Sequence, residues 1–361
     1  MRIVIAAGGT GGHLYPAIAY AREFQRLDPN GHIRFIGSGK SLEEEILKKE
    51  GFMIDRIRTE GFVGRKLLER IRALALLPHS IWQSLKILRF QCADLVVGTG
   101  GYFSLPVVLA AWALRIPRVL LEPNAMPGFA NRILGPFADN IFLAFESASE
   151  FFGRQKTQVI GTPVRKEFIL ENPPAMSPTV SHLLVFGGSQ GAKAINSAVL
   201  EAMAFSSMMR EQLTITHQTG PTDFERVRSE YERLGIAAEV RPFLFHMSQE
   251  LSRADLVVCR SGASTLAELS AYGKVGILVP FPHATHQHQE KNARAVEAQG
   301  AARVITESHL TGSRLAEEIE TFMRDPAKLH GMAKRSWELR KVHATEHMVQ
   351  ACLSLVGQPA S

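Results

Sequence analysis

Four glycine-rich turns carry the residues of this chain best suited to chemistry. They span residues 8–12, 98–101, 187–191 and 260–263, and each follows a short apolar run and precedes a helical pattern. A glycine turn between a strand and a helix lets the backbone approach an anion closely, and it aims N–H groups and the positive end of the helix dipole at it. Because phosphate is the usual ligand of such turns, the sequence predicts a phosphate-containing substrate.

Two side chains beside these turns could act on that substrate. His13 follows the first turn at a predicted helix start, where the helix dipole lowers the pKa of an imidazole and keeps it neutral. A neutral imidazole can take a proton from a hydroxyl group, so His13 is a candidate general base, with a capping or packing histidine as the alternative. Ser189 lies in the third turn and can donate a hydrogen bond to a phosphate oxygen.

Other nucleotide-binding motifs are missing from the sequence. The first turn does not fit GxGxxG, and the predicted strand at residues 32–36 ends without the acid that binds a dinucleotide ribose, which disfavours a dehydrogenase. No GxxxxGK[ST] loop occurs, because Ala192 stands before Lys193, so a kinase or ATPase is also disfavoured. The chain has no Asp-x-Asp pair. We therefore expect no metal and no cofactor at the site.

The elements that position these turns occur twice. Residues 93–97, Ala-Asp-Leu-Val-Val, recur identically at 254–258, and each copy leads into a turn, a helix and a buried-strand run. The strand, turn and helix of residues 2–24 likewise return at residues 182–203. This spacing predicts two tandem α/β halves, each with a doubly wound parallel sheet. Since open α/β sheets bind ligands at the carboxyl ends of their strands, we expect all four turns to face a cleft.

Composition agrees with a two-domain globular protein. The chain has 361 residues, of which 45% are hydrophobic and 21% charged, and its three cysteines lie far apart with no CxxC spacing. No run approaches the roughly 18 apolar residues of a membrane-spanning helix, and the N-terminus lacks a signal peptide pattern. We expect a protein of a reducing compartment, with its domains joined near residues 161–165 or 172–178.

A basic and apolar segment covers residues 62–90. Residues 56–90 hold eight Lys or Arg against two acidic residues, interleaved with apolar residues at helical spacing that predict two amphipathic helices on either side of Pro78. Trp82 and the basic residues could form an interfacial patch on anionic lipid. The segment has few aromatic residues for base stacking, so we expect no nucleic-acid partner.

Five motifs stand in the order found in one family. They are Gly-Gly-Thr-Gly-Gly-His at 8–13, Gly-Thr-Gly-Gly-Tyr at 98–102, Glu-Pro-Asn at 122–124, Gly-Gly-Ser-Gln-Gly-Ala at 187–192 and Cys-Arg-Ser-Gly-Ala at 259–263. Over nearly its whole length the chain resembles the MurG family, bacterial N-acetylglucosaminyltransferases that convert lipid I into lipid II in peptidoglycan synthesis. The resemblance implies an α/β GT-B fold of two Rossmann-like domains facing a cleft.

The resemblance also implies domain roles and site residues. Residues 1–163 would form the acceptor- and membrane-binding domain and 164–340 the UDP-GlcNAc-binding domain, with a helix at about 341–357 packing back on the first. His13 and Glu122 are rival general bases. The implied UDP-GlcNAc contacts are Thr10, Gly11, Gly12, Asn124, Arg165, Ser189, Leu244, Ala263, Ser264, Thr265, Leu266, Ala267, Glu268 and Gln289, with Glu268 on the ribose diol. The implied acceptor-diphosphate contacts are Gly98, Thr99, Gly100, Gly101 and Tyr102.

The expected activity is inverting transfer of GlcNAc from UDP-GlcNAc to the 4-hydroxyl of MurNAc in undecaprenyl-linked lipid I. Its expected place is the cytoplasmic face of the bacterial inner membrane, bound peripherally through residues 62–90. One alternative is a UDP-GlcNAc 2-epimerase, which shares the two-domain fold but has no need of a basic and apolar patch. The other is a peripheral membrane protein that binds a nucleotide sugar without turnover.

Overall fold

The chain forms two compact units. The computed structural model describes residues 1–8, 11–39, 41–60, 67–153, 156–175 and 177–357, without the side chains of residues 41, 42, 67, 68 and 70. Unit 1 comprises Met1–Lys166 and Lys341–Ser361, and unit 2 comprises Glu167–Arg340. The first boundary between the units thus lies between residues 166 and 167. The boundary expected from the sequence, between 163 and 164, lies three residues earlier. Within the described ranges, no helix is long and apolar enough to span a membrane.

Unit 1 contains a parallel sheet of seven strands. These are β1 (Arg2–Ala6), β2 (His32–Gly37), β3 (Met53–Arg56), β4 (Leu95–Gly98), β5 (Arg118–Glu122), β6 (Asn140–Leu143) and β7 (Thr157–Val159). Their order is β3-β2-β1-β4-β5-β6-β7. The order reverses between β1 and β4, and the last residues of these two strands, Ala6 and Gly98, are register partners. Open α/β sheets bind ligands at such a switch point.

The helices of the first part of the chain are α1 (Gly11–Leu27), α2 (Ser41–Lys49), α3 (Leu67–Phe90), α4 (Gly101–Ala113) and α5 (Phe129–Leu134). The prediction of two helices around Pro78 is wrong, because Pro78 lies inside the single helix α3. Proline removes one backbone donor and favours a kink. Leu77 before the proline and Ile81 and Leu85 after it nevertheless pack, partly buried, against one cluster beside α4. Leu88 is fully buried in the same cluster, and this shared packing holds the helix together.

Unit 2 repeats the design with six parallel strands. They are β8 (His182–Phe186), β9 (Thr214–Gln218), β10 (Ala238–Arg241), β11 (Leu256–Cys259), β12 (Val275–Leu278) and β13 (Ala302–Val304), in the order β10-β9-β8-β11-β12-β13. Its helices are α6 (Lys193–Phe205), α7 (Ser207–Gln212), α8 (Phe224–Arg233), α9 (Met247–Arg253), α10 (Ala263–Ala271), α11 (His288–Ala298), α12 (Gly312–Arg324) and α13 (Pro326–Glu338). The switch point lies between β8 and β11.

The last helix, α14 (Ala344–Gly357), belongs to unit 1 and packs against α1. The central strands are buried on both faces, as expected for parallel sheets covered by helices, and every residue of β4 and of β11 is buried. Each unit therefore has its own core. The predicted class of two doubly wound parallel α/β domains is confirmed.

Candidate functional site

His13 lies in the first turn of α1, directly beyond the carboxyl end of β1. Its Nδ1 is 2.7 Å from the main-chain oxygen of Thr99, the residue after β4. Because a carbonyl oxygen can only accept, Nδ1 is assigned the proton, and Nε2 is then the basic nitrogen of the neutral ring. Burial lowers the pKa of His13 below its usual 6.5, and the bond to Thr99 opposes this. The imidazole is therefore neutral at neutral pH.

The second glycine turn fits closely against this ring. Gly100 and Gly101 have φ angles of 89° and 72°, a backbone region that favours glycine. A Cβ on Gly100 would lie 3.1 Å from Cε1 of His13, and a Cβ on Gly101 would lie 4.0 Å from its Nε2. Thr99 is held in turn by bonds from its N and Oγ1 to the oxygen of Ala6, at 3.1 and 3.2 Å. The turn thus needs glycine for its dihedral angles and for room beside the imidazole.

Glu122, the rival base, is the last residue of β5 and only 1% exposed. Its Oε1 accepts from N and Nδ2 of Asn124, each at 3.0 Å. Its Oε2 accepts from N of Gly128 at 2.8 Å and from Nδ2 of Asn131 at 3.0 Å. Burial raises the pKa of Glu122, and these bonds oppose the rise. The carboxylate is occupied in holding the chain that follows β5, which favours His13 over Glu122 as the base.

Asn131, on α5, was missed by the sequence analysis. It is 1% exposed, and its Nδ2 donates both to Glu122 and to the oxygen of Leu121, each at 3.0 Å. The same nitrogen would lie 3.3 Å from a Cβ on Gly100. Its buried Oδ1 has no hydrogen-bond partner among the described residues. No local pattern marks such an asparagine, because its importance comes from neighbours that the fold brings to it.

The other residues predicted for the first half lie mostly at the same edge of the sheet. Those at the carboxyl ends of β1, β4 and β5 are Gly11, Gly12, Gly98, Thr99, Gly100, Gly101, Tyr102 and Asn124. Thr10 lies outside the described residues. Arg165 is half-buried, and its guanidinium carbon lies 4.9 Å from the centroid of the Tyr15 ring on α1.

The third glycine turn connects β8 to α6 in unit 2. Gly188 and Gly191 have φ angles of 91° and 71°, and N of Gly191 donates to the oxygen of Gly188 at 2.8 Å. Ser189 is exposed between them. The turn therefore presents a hydroxyl group beside main-chain N–H groups at the carboxyl end of β8, an arrangement that suits a phosphate.

The fourth turn leads from β11 into α10, with Gly262 as the N-cap residue. In the predicted nucleotide segment, Ala263 and Leu266 are buried in the core, and the rest are half-buried at the surface: Ser264, Thr265, Ala267 and Glu268. Burial raises the pKa of Cys259, the last residue of β11, and the charge of Glu268 adds to the rise. The Glu268 carboxylate therefore lies near the carboxyl end of β11.

Two further predicted contacts lie on neighbouring loops of unit 2. Leu244 is half-buried between β10 and α9. Gln289 is in the first turn of α11, and its Oε1 accepts from N of Phe281 at 3.0 Å. Its Nε2 is the atom that could donate to a ligand. His286 and Gln287, just before α11, both have φ of 53°, a strained backbone conformation for residues with side chains.

The positive charge of Arg260, at the fourth turn, is paired with Glu307 within the protein. Arg260 donates to Glu307 at 2.6 Å and to the oxygens of Val279 and Pro280 at 3.2 and 3.1 Å. In the part of the chain that the structure describes, no three His, Cys, Asp or Glu side chains are grouped to hold a metal ion. An anion at this turn would therefore be met chiefly by the N–H groups at the start of α10.

Known proteins match the whole chain. Residues 3–143 match the N-terminal domain of glycosyltransferase family 28, and residues 182–349 match the C-terminal domain of that family. Curated relatives from Anaeromyxobacter sp. and Myxococcus xanthus are 44% and 42% identical, covering 100% and 99% of this chain and 96% and 94% of theirs. Both are named UDP-N-acetylglucosamine--N-acetylmuramyl-(pentapeptide) pyrophosphoryl-undecaprenol N-acetylglucosamine transferase.

Solved structures also match nearly the whole chain. MurG of Acinetobacter baumannii is 28% identical with a TM-score of 0.80, and the match covers 98% of this chain and 100% of that one. UDP-GlcNAc 2-epimerase of Neisseria meningitidis reaches a TM-score of 0.67 at 13% identity, covering 98% and 100%, which shows a shared fold alone. The predicted GT-B class and the resemblance stated from the motifs are both confirmed. The chain belongs to the MurG family of N-acetylglucosaminyltransferases, within glycosyltransferase family 28.

Proposed function

We propose that this protein transfers GlcNAc from UDP-GlcNAc to the 4-hydroxyl of MurNAc in undecaprenyl-diphosphate-MurNAc-pentapeptide, which converts lipid I to lipid II with inversion. The observation that carries this proposal is 41–44% identity along the whole chain to transferases named for that reaction. The 2-epimerase alternative has support only from a fold shared at 13% identity.

His13 is the general base in this proposal. In a single displacement, the oxygen of the acceptor hydroxyl attacks the anomeric carbon of GlcNAc while Nε2 takes the proton of that hydroxyl. The bond between this carbon and the diphosphate breaks, and UDP leaves. The Thr99 oxygen, 2.7 Å from Nδ1, orients the ring and favours the imidazolium that forms. Burial keeps the ring neutral before reaction. Glu122 and Asn131 act through the backbone, because their bonds hold the loop behind the second turn.

The diphosphates are held without a metal in this proposal. The turn at 98–102 takes the acceptor diphosphate, and Ser189 with the N–H groups of its turn takes the donor diphosphate. Helix N-termini can supply this stabilisation because their N–H groups lack partners within the helix. The remaining donor contacts are those the family implies, with Leu244 at the uracil, Glu268 at the ribose and Gln289 at the sugar.

Membrane binding is assigned to α3 as a peripheral contact on the cytoplasmic face. Ile71 and Leu74, in the first two turns of α3, are 54% and 59% exposed. Because α3 runs from the carboxyl end of β3 back to the start of β4, these turns lie at the edge of the sheet that carries His13. Trp82 is 50% exposed with Lys86 3.5 Å from its ring. Residues 61–66, which include Arg65 and Lys66, lie outside the described ranges.

A transfer assay tests the activity. Radiolabelled UDP-GlcNAc is incubated with the protein and a short-chain lipid I analogue, and labelled disaccharide-lipid is expected. Conversion of the nucleotide sugar to its 2-epimer without acceptor would favour the epimerase. UDP binding with no product in single-turnover conditions would favour the non-catalytic alternative.

A further inference from the structure

Gln218 joins two segments that lie on either side of it. It is the last residue of β9, the strand between β8 and β10, and it is only 2% exposed. Its Nε2 donates to the main-chain oxygen of Gly188 at 2.9 Å and to that of Pro242 at 3.3 Å. Gly188 follows β8, and Pro242 follows β10 directly. One buried amide group thus binds the chain beyond both neighbouring strands.

Both of these segments belong to the proposed UDP site. Gly188 precedes Ser189 in the turn assigned to the donor diphosphate, and its oxygen also accepts from N of Gly191 at 2.8 Å. Gln218 therefore binds the turn at the carbonyl group that closes it. Pro242 stands two residues before Leu244, which is assigned to the uracil.

The backbone around Gln218 leaves this turn little freedom. A Cβ on Gly191 would lie 1.8 Å from the oxygen of Thr219, and a Cβ on Gly220 would lie 2.1 Å from that of Gln190. N of Thr219 donates to the oxygen of Arg241 at 3.0 Å. The end of β9 is therefore packed directly against the phosphate turn and is hydrogen-bonded to the end of β10.

We propose that Gln218 is a positioning residue that sets the distance between the diphosphate turn and the uracil segment without touching UDP. This inference rests on the proposed function of unit 2. A ligand that contacts both segments binds tightly only when the distance between the segments matches its own length. The same holds for two linked binding groups, which bind together only if the linker spans both sites. UDP should thus depend on Gln218 more strongly than uridine, which has no diphosphate.

Calorimetric titration of Gln218→Met tests this dependence. Methionine keeps the length of the side chain but donates no hydrogen bond. We expect UDP to bind about tenfold more weakly, the equivalent of about 1.4 kcal/mol, while uridine affinity by NMR titration stays within about twofold of wild type. Thr216→Val is the matched control, because Thr216 is on the same strand and only 1% exposed. This substitution removes a 3.0 Å hydrogen bond to His182, which lies away from the turn. Its UDP and uridine affinities should match wild type, whatever its melting temperature.

Gln218→Glu gives a second test that remains informative if methionine prevents folding. An ionised carboxylate cannot donate to either oxygen, whereas the protonated acid can donate to one. The ratio of variant to wild-type UDP affinity should therefore rise toward one as the pH falls from 8 to 5. UDP affinity of Gln218→Met within about twofold of wild type, or an equal loss for UDP and uridine, would overturn the inference. A wild-type protein with no UDP affinity would instead overturn the proposed function, and this inference with it.

Discussion

The two copies of Ala-Asp-Leu-Val-Val have the same structural role in the two units. They form β4 beside β1 and β11 beside β8, at the switch point of each sheet. Oδ2 of Asp94 accepts from N of Arg2 at 2.7 Å, and Oδ2 of Asp255 accepts from N of His182 at 2.9 Å. In each unit the aspartate thus fixes the start of the neighbouring strand. The repeat is a piece of scaffold.

The residues that follow the repeat differ in what they can do. After β4, Gly100 and Gly101 adopt positive φ and make room for the ring of His13. After β11, Gly262 has a φ of −64°, and a Cβ there would have Thr265 Oγ1 at 3.8 Å as its nearest neighbour. The turn after β4 is thus built around a side chain that can accept a proton, and the turn after β11 exposes a helix N-terminus. In the proposed function, the same scaffold would carry a general base in unit 1 and an anion site in unit 2.

Removal of His13 should have the largest effect. His13→Ala is expected to lower kcat by about 10²-fold or more with UDP affinity nearly unchanged, since proton removal matters only in the transition state. Transfer kinetics and UDP titration measure the two quantities. Turnover near that of wild type would assign the base to Glu122 instead.

The pH profile should show the lowered pKa of His13. A general base must be unprotonated, and burial places the pKa of this ring below 6.5. Activity should therefore hold as the pH falls from 7 to 6.5 and drop about tenfold per pH unit only below the lowered pKa. The measurement is kcat/KM against pH for the wild-type protein. An acid limb centred at or above 6.5 would contradict the lowered pKa of His13.

Matched alanine substitutions at the two turns test the comparison directly. Gly100→Ala places a Cβ at positive φ and 3.1 Å from the imidazole, at a cost of about 1–3 kcal/mol, so kcat should fall about tenfold or more as the ring moves. Gly262→Ala meets neither obstacle and should change kcat less than about threefold. Equal losses would mean that the two turns are not specialised in this way.

Removal of the Glu268 carboxylate should weaken binding of the donor nucleotide only. If its carboxylate accepts both ribose hydroxyls, Glu268→Ala should weaken UDP binding by about 1–3 kcal/mol while the fold persists. Calorimetry gives the affinity, and circular dichroism checks the fold. Glu225→Ala, which removes an exposed carboxylate paired with Arg228 on α8, is the control and should bind UDP normally. An unchanged affinity for Glu268→Ala would remove this residue from the site.

The sequence predicted those features that depend on neighbours along the chain. Glycine turns after β-branched runs and the repeated Ala-Asp-Leu-Val-Val are local patterns, and they were enough to predict two doubly wound domains and to draw attention to His13. Pro78 misled the prediction because packing of α3 in a shared core outweighs the local preference of proline. Local sequence patterns thus predict where helices and strands form, but tertiary packing can merge two predicted helices into one.

Buried polar side chains could not be predicted in the same way. Gln218 contacts the oxygens of residues 30 and 24 positions away in the sequence, and Asn131 lies beside Gly100, about thirty residues before it. Neither residue differs in type or spacing from an ordinary surface amide. Only the fold shows that Glu122 already accepts four hydrogen bonds and so is poorly suited to act as a base.

The smallest expected effect distinguishes the two aspartates of the repeat. Asp255 accepts from N and Oγ of Ser181 at 2.8 and 3.0 Å as well as from His182, whereas among the residues that the structure describes the Asp94 carboxylate has one such bond, to Arg2. Asp255→Ala should therefore lower the free energy of unfolding of unit 2 by about 1–2 kcal/mol, and Asp94→Ala should lower that of unit 1 by about 0.5–1 kcal/mol. Because two units need not unfold together, amide hydrogen exchange in urea should be read separately in β8 and in β1. A larger loss for Asp94→Ala would show that the two copies support their sheets by different contacts, and the view of the repeat as one scaffold used twice would then be wrong.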